Sequence, residues 1–139
     1  MYCYPATGTP GTALPAGWNE TPGARGCTPQ SCAFRDRHGE LRALGVSLFG
    51  VSVQTPGVQR EAAERLELGF PLLSDEALEF AHALRLPTFE LAGRAFLKRL
   101  TLVARDGIVA ATFYPVFPPD ENAAEVLAWL RNGPLKPQV

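Results

Sequence analysis

Residues 26–36 read Gly26-Cys27-Thr28-Pro29-Gln30-Ser31-Cys32-Ala33-Phe34-Arg35-Asp36. Thr28 is a suitable N-cap, and Pro29 suits the first helical position because its missing N–H has no partner there. Gly45 lies where a left-handed residue would end a helix. The stretch therefore predicts a helix from about Pro29 to Leu44, with one cysteine at its start and a second cysteine five residues later.

Cys27 has the position of a nucleophile. The first N–H groups of a helix have no partner within the helix, and the helix dipole is positive at this end. Both effects favour a thiolate over a thiol. The first 60 residues also carry five arginines against three acidic residues, so the half of the chain that contains Cys27 is the positive half.

The spacing between Cys27 and Cys32 indicates a switch and not a structural crosslink. In a continuous helix, Cα atoms five residues apart are separated by more than roughly 7.5 Å, which exceeds the reach of a disulfide. The two sulfurs can therefore bond only if the first turn unwinds. The spacing also differs from the C-x-x-C of thioredoxin-type redox motifs and from the paired spacings typical of zinc sites.

The stretch resembles the active-site segment of the peroxiredoxins of the AhpC/TSA family, specifically the Q-type branch (bacterioferritin comigratory proteins). In that branch a reactive cysteine is followed after four residues by its partner cysteine, and then by Phe, Arg and Asp. Landmarks elsewhere keep the order of the family. They are Tyr4-Pro5, Val51-Ser52-Val53-Gln54, residues Phe70 to Asp75, residues Lys98 to Val103, and Asp106-Gly107.

The resemblance implies a thiol-dependent peroxidase that reduces hydrogen peroxide, organic hydroperoxides or both. Cys27 would be the peroxidatic cysteine and Cys32 the resolving cysteine, joined after oxidation in a disulfide that thioredoxin or a similar dithiol reduces. Arg99 matches the arginine that holds the peroxide and the thiolate. Pro5 and Thr9 fit the first part of the family pattern P-x-x-x-T-x-x-C. No cofactor and no metal is implied.

The chain departs from this pattern between the threonine and the cysteine. Residues 12–26 are interpreted as an insertion in a long active-site loop, residues 5–26, that is rich in Pro and Gly. Thr21 followed by Pro22 is therefore an alternative to Thr9. Leu14 and Trp18 are predicted either to anchor the loop over the pocket or to cover apolar surface, and Arg25 either to line the pocket or to face solvent.

Residues 1–4 read as the end of a central strand. The resemblance implies a β-hairpin and the front half of this strand upstream of Met1, so we expect an N-terminally truncated variant or a natural start further upstream. The predicted organisation is one domain over residues 1–139, with the strand stub at 1–4, the loop at 5–26 and the core at 27–139.

The remaining periodicity predicts an α/β, thioredoxin-like fold, in which a mixed sheet carries helices on both faces. Strands are predicted at Val46 to Val53 and Phe70 to Leu73, and a hairpin at Arg99 to Ala104 and Ile108 to Tyr114 around Asp106-Gly107. Helices are predicted at Pro56 to Leu66, Asp75 to Leu84 with Ser74 or Asp75 as cap, and Asp120 to Arg131 before Gly133-Pro134.

Composition narrows the possible functions. A length of 139 residues with 46% hydrophobic and 19% charged residues suits one globular domain, and no apolar run is long enough to span a membrane. The net charge of −1 argues against nucleic acid as a partner. Three cysteines without a visible secretory signal favour a reducing compartment, and we expect the cytoplasm.

Two other functions fit the same residues. The first is a non-catalytic domain that senses oxidation through Cys27 and Cys32, and the second is a thiol–disulfide oxidoreductase that acts on proteins. A zinc site formed by Cys3, Cys27, Cys32 and His38 is a weaker alternative because the gap between Cys3 and Cys27 is long.

Overall fold

The computed structural model describes residues 1–132. The strands are β1 (Tyr2–Cys3), β2 (Gly50–Ser52), β3 (Leu72–Ser74), β4 (Thr88–Leu91), β5 (Arg94–Leu97), β6 (Leu100–Arg105) and β7 (Ile108–Phe113). The α-helices are α1 (Cys27–Ala43), α2 (Pro56–Arg65), α3 (Glu79–Leu84) and α4 (Asn122–Asn132), and a 3-10 turn at Pro119–Glu121 precedes α4.

Within the described residues, five strands form a mixed sheet in the order β3-β2-β1-β6-β7, and β4 with β5 forms a separate hairpin. The strand β1 is parallel to β2 and antiparallel to β6, so Tyr2 stands between Gly50 and Thr101. The short strand at the start of the chain is therefore the centre of the sheet, as the sequence predicted.

The two faces of the sheet have separate cores because successive side chains of a strand point in opposite directions. Tyr2 and Tyr4 pack with α1 and α4 on one face, where the ring of Tyr2 stacks on Phe34 at 4.6 Å between centroids. Cys3 packs on the other face with the β4–β5 hairpin and Ala81 of α3. The predicted mixed sheet with helices on both faces is thus confirmed.

The helix that carries both cysteines begins earlier than predicted. Its first residue is Cys27 and not Pro29, and its N-cap is Gly26, which has φ 102° and offers no side-chain cap. Thr28 therefore lies inside the helix and does not cap it. The end of the helix agrees with the prediction, since Gly45 has φ 76° and its N–H donates to the carbonyl of Arg42 at 2.9 Å.

The predicted strand at Val46 to Val53 is mostly unpaired, because only Gly50–Ser52 forms ladder bonds. Its first part lines a largely apolar cavity of about 780 Å³ beside Met1, between this segment and residues of β6. The short β1 strand pairs only with Leu100 and Thr101 of β6, and the rest of β6 lines the cavity.

Other boundaries shift for local reasons. The strand β3 begins two residues later and ends one residue later than predicted, and α3 begins at Glu79 and not at Asp75. Asp75 still accepts from the N–H groups of Phe80 and Ala81, at 2.9 Å each, so its capping role is partly confirmed. The helix starts late because Leu78 has φ 60°, which interrupts the turn before it.

The C-terminal half of the fold agrees closely with the sequence. The predicted hairpin is present as β6 and β7, and both Asp106 and Gly107 have positive φ in its turn. The β4–β5 hairpin was not predicted. The helix α4 begins at Asn122, two residues after the predicted start, and its predicted stop at Gly133-Pro134 lies outside the described residues.

Candidate active site

Cys27 is almost completely buried, with 3% of its surface exposed, and three polar groups contact its sulfur. The N–H of Ala6 donates to Sγ at 3.4 Å, and Nη2 of Arg99 donates at 3.2 Å. The carbonyl of Ala24 lies 3.6 Å away and accepts from the thiol. Two donors aimed at one sulfur are an arrangement that stabilises negative charge on it.

Arg99 is held by the end of the long loop. Its Nη2 donates to the carbonyls of Gly23 and Ala24 at 3.3 Å each and to that of Arg25 at 2.8 Å, in addition to Cys27. The guanidinium is buried, with 4% of the residue exposed, so these bonds replace the water it has lost. The segment before Cys27 thus positions the cation as well as the sulfur.

A buried polar network continues from Arg99 into the sheet. Nη1 of Arg99 donates to Oε1 of Gln30 at 2.6 Å, and Nε2 of Gln30 donates to Oδ1 of Asn122 at 3.2 Å. The same Oδ1 accepts from the hydroxyl of Thr101 at 2.6 Å. All four residues are buried. The site is therefore tied to α1, to β6 and to the first residue of α4.

Opposing effects act on the Cys27 thiol. Burial raises its pKa, while the charge of Arg99, the N–H of Ala6 and the hydrogen bond from Arg99 lower it. Burial has the largest effect, so in the closed site the thiol pKa lies above its ordinary value. The helix start alone therefore does not give the thiolate-favouring environment that the sequence predicted, and Arg99 supplies the largest opposing effect.

Cys32 lies on the same continuous helix as Cys27, and both cysteines are free. The first turn is held by the N–H of Gln30, which donates to the carbonyl of Gly26 at 3.0 Å, and by the hydroxyl of Tyr2, which donates to Oγ of Ser31 at 2.9 Å. Because Cys27 and Cys32 are five positions apart on one helix, their Cα atoms lie beyond the reach of a disulfide, and this turn must unwind before the bond can form.

A cavity of about 250 Å³ opens at Cys27. Its walls come from the long loop and from the start of α1. The lining residues are Ala6, Gly8, Leu14, Trp18, Asn19, Ala24, Arg25, Gly26, Cys27, Thr28 and Pro29. A volume of this size admits a small molecule, and Cys27 is part of its wall.

The structure brings together Cys27, Arg99 and the segment after Pro5, which is fully buried next to Ala6. Thr9 does not line the cavity, and its carbonyl instead accepts from the N–H of Thr12 at 3.0 Å. Nor does Thr21 line the cavity, since its hydroxyl donates to the carbonyl of Gly17 at 2.8 Å. Neither threonine has a hydrogen bond to Cys27 in the described part of the chain.

The loop is anchored by Trp18, which agrees with one of the two predicted alternatives. The indole is buried and packs edge-on against Phe96 of β5 at 5.2 Å and against Phe89 of β4 at 6.2 Å. Trp18, Leu14 and Arg25 all line the cavity. The loop is thus fastened to the β4–β5 hairpin, which shortly precedes Arg99 in the chain.

Sequence reasoning missed Ala6, Gln30 and Asn122. The N–H of Ala6 is a backbone group, so no side-chain pattern could have indicated it. Gln30 carried a usable signal, because a polar residue three positions after Cys27 lies on the same side of the helix. Asn122 gave no signal, since only the tertiary fold brings the start of α4 against α1.

The structure separates the residues of the weak zinc alternative. Cys3 belongs to one core and Cys27 to the core on the opposite face of the sheet. His38 packs edge-on against Phe70 at 5.4 Å between ring centroids. Within residues 1–132, no group of three His, Cys, Asp or Glu side chains is arranged to hold a metal ion.

No helix of the same residues has the length and apolarity that crossing a membrane requires.

Residues 19–112 match the AhpC/TSA family. Among curated proteins, the chain is 27% identical over 133 residues to the chloroplastic peroxiredoxin Q of Gentiana triflora, covering 96% of this chain and 54% of the relative. It is 28% identical over 132 residues to the chloroplastic peroxiredoxin Q of Populus jackii, covering 95% and 54%. The chain thus spans about half the length of these curated relatives.

Solved structures show the same fold. The peroxidoxin BcpB of Mycobacterium tuberculosis superposes with a TM-score of 0.73 at 30% identity, covering 94% of this chain and 75% of that one. A cysteine-to-serine mutant of Xanthomonas campestris peroxiredoxin Q superposes with a TM-score of 0.70 at 23% identity, with the same coverage. The match at 30% identity extends over nearly the whole chain.

Proposed function

The chain belongs to the AhpC/TSA family, and from this premise we propose that it is a thiol-dependent peroxidase that reduces hydrogen peroxide or organic hydroperoxides at Cys27. The resemblance to the Q-type branch is confirmed by the relatives named above. One observation carries the proposal. A buried sulfur at the wall of a small cavity receives hydrogen bonds from the guanidinium of Arg99 and from the N–H of Ala6.

In the proposed first step, the Cys27 thiolate attacks the terminal oxygen of the hydroperoxide. A sulfur–oxygen bond forms, the O–O bond breaks, and the leaving oxygen takes a proton to become water or an alcohol. The sulfur is oxidised to a sulfenic acid and the peroxide is reduced. Arg99 stabilises the developing negative charge because its donors are fixed and permanently charged.

The geometry of Arg99 supports this role. Nη1 and Nη2 are both occupied by protein acceptors, whereas the buried Nε has no hydrogen-bond partner among residues 1–132. A buried donor without a partner is costly. Arg99 does not line the cavity, so in this proposal it acts on the reaction through the sulfur that Nη2 contacts.

In the proposed second step, the first turn of α1 unwinds and the Cys32 thiolate attacks Cys27. The S–S bond forms, the S–O bond of the sulfenic acid breaks, and the oxygen leaves as water after protonation. A dithiol reductant, which we propose to be thioredoxin or a similar protein, then exchanges with the disulfide and is itself oxidised.

We also propose that the protein is located in the cytoplasm. The names of the relatives state a chloroplast location, and cell fractionation distinguishes the two.

The direct test is peroxide consumption in the presence of a dithiol reductant. The wild type should consume peroxide over many turnovers, whereas Cys27→Ser should lose at least about 10³-fold of the rate because the nucleophile is gone. In Cys32→Ser, Cys27 should be oxidised once, and peroxide consumption should then stop in the presence of the same reductant. A wild type that forms the disulfide slowly and does not turn over would instead favour the oxidation-sensing function.

A further inference from the structure

The amide of Gln30 can face Arg99 in one orientation only. Arg99 has donors and no acceptor, so the oxygen of Gln30 must point towards it and the nitrogen must point away. That nitrogen then needs an acceptor, and in this buried place the acceptor is Oδ1 of Asn122 at 3.2 Å. The side chain of Gln30 is fully buried, so water does not offer a substitute.

The amide of Asn122 is oriented in the same way. Its Oδ1 accepts from both Gln30 and the hydroxyl of Thr101, while its Nδ2 is buried without a partner in the described chain. A rotated amide would point Nδ2 at Nε2 of Gln30, and two donors would then face each other. The unpartnered Nδ2 shows that this orientation is kept although it leaves one donor unsatisfied.

We propose that Asn122 is a positioning residue for the peroxide step, which holds the Gln30 amide so that its oxygen fixes the guanidinium of Arg99 beside Cys27. The inference rests on the proposed function of Cys27 and Arg99. Asn122 touches neither the sulfur nor the cavity and acts through Gln30. Thr101 supports it from β6 with a hydrogen bond of 2.6 Å.

The test uses the full chain with Asn122→Leu, which removes the acceptor at similar size, and Asn122→Asp, which keeps acceptor oxygens. Asn122→Leu should lower the second-order rate constant of Cys27 oxidation by about tenfold, since a small displacement of a catalytic group has large effects. Asn122→Asp should keep most of the wild-type rate. Thr101→Val should give a smaller loss, about threefold.

Gln59→Leu is the matched control. Gln59 is a second buried amide, which donates to Oγ of Ser52 at 3.0 Å and to the carbonyl of Leu73 at 2.8 Å and has no contact with Arg99. Its loss should lower the melting temperature about as much as Asn122→Leu but leave the oxidation rate unchanged. Equal rate losses in Asn122→Leu and Gln59→Leu would overturn the proposal.

A second readout does not require peroxide turnover. The pH dependence of Cys27 alkylation reports how strongly its surroundings stabilise the thiolate. The ionisable groups that face the sulfur are Arg99, which favours the thiolate, and the buried phenols of Tyr2 and Tyr4. Asn122→Leu should move the alkylation profile to higher pH because Arg99 is released, whereas Gln59→Leu should not.

These measurements separate the two claims. A wild type that does not react with peroxide contradicts the proposed function, whatever the variants do. A reactive wild type with an unchanged rate and an unchanged alkylation profile in Asn122→Leu contradicts the positioning role alone.

Discussion

Cys3 and Cys27 are two buried cysteines that lie on opposite faces of the same sheet and differ mainly in their neighbours. Their exposed fractions are 0% and 3%. Cys3 packs among apolar side chains, and burial raises the pKa of its thiol to about 11, partly opposed by the Met1 ammonium group. Cys27 has a guanidinium and a backbone N–H directed at its sulfur.

The comparison indicates that burial alone does not distinguish the two thiols. Burial disfavours the thiolate in both places. The Met1 ammonium group partly offsets it at Cys3, whereas at Cys27 fixed hydrogen-bond donors act directly on the sulfur. At Cys27 the donors are the N–H of Ala6 and the guanidinium of Arg99, which Gln30 supports. These residues lie far apart in the sequence. Cys3 is therefore expected to behave as a small apolar side chain.

The largest effect should come from removing the fixed donors of Arg99. Arg99→Lys keeps the charge but cannot contact Cys27, Gln30 and the loop carbonyls together, so the second-order rate constant with peroxide should fall by about 100-fold. Stopped-flow measurement checks this. Arg94→Lys, an exposed arginine of β5, is the control and should react like the wild type. A wild-type rate in Arg99→Lys would mean that the guanidinium is not what distinguishes Cys27 from Cys3.

The next effect should come from Gly26→Ala, at the residue before Cys27. Its φ is 102°, and a Cβ would lie 2.6 Å from Cγ of Pro119. We expect a loss of about 2 kcal/mol in the free energy of unfolding, together with slower oxidation, because the start of α1 is displaced. Gly23→Ala is matched in backbone, with φ 81°, but a Cβ there meets no atom within 4 Å.

Denaturant unfolding of both variants separates strain from contact. Gly23→Ala should lose only about 1 kcal/mol, the value for a left-handed backbone alone. Equal losses in the two variants would mean that Pro119 does not constrain the helix start.

A change in pH should distinguish the two cysteines in one experiment. Cys27 should become more reactive towards an alkylating reagent as pH rises, since its raised pKa means that most of it is protonated in neutral solution. Arg99→Lys should shift this profile to still higher pH. Cys3 should stay unmodified in the folded protein because it is fully buried away from the cavity, and burial also raises the pKa of its thiol to about 11. Mass spectrometry of the alkylated peptides measures both sites. If Arg99→Lys also shifted the pH profile of Cys3 alkylation, the two cysteines would not be independent.

The smallest effect should come from Cys3→Ala. The substitution removes a buried sulfur from an apolar core, so the free energy of unfolding should fall by about 1 kcal/mol. The rate with peroxide should equal that of the wild type within error. A reduced rate at unchanged stability would give Cys3 a role in the chemistry.

Much of the fold could be predicted because its signals are local. Gly45 ends α1, Pro56 begins α2, and Asp106-Gly107 forms the turn between β6 and β7. The β4–β5 hairpin was missed although Ala92 and Gly93, both with positive φ, form its two-residue turn. The strand at Gly50 was predicted too long because residues 46–48 have strand-like composition but no ladder partner among residues 1–132.

The candidate site was only partly predictable because several of its contacts join residues that are distant in the sequence. Cys27 was singled out by its place at the helix start and Cys32 by its spacing from Cys27, whereas Arg99 and Thr9 came from the family resemblance. A loop of this length can lead its residues elsewhere, and Thr9 accordingly has no contact with the sulfur in the described residues. The donor at Ala6 and the network through Asn122 depend on tertiary contacts, which no local pattern contains.

The role of Cys27 is tested most directly by identifying which cysteine peroxide oxidises first. The reduced wild type is exposed to less than one equivalent of peroxide, free thiols are blocked at once, and peptide mass spectrometry measures each cysteine. We expect oxidation at Cys27, as sulfenic acid or as the disulfide with Cys32, and an unoxidised Cys3. In Cys32→Ser, sulfenic or sulfinic acid should accumulate on Cys27. First oxidation at Cys32 or at Cys3 would contradict the claim that the donors around Cys27 make it the reactive sulfur.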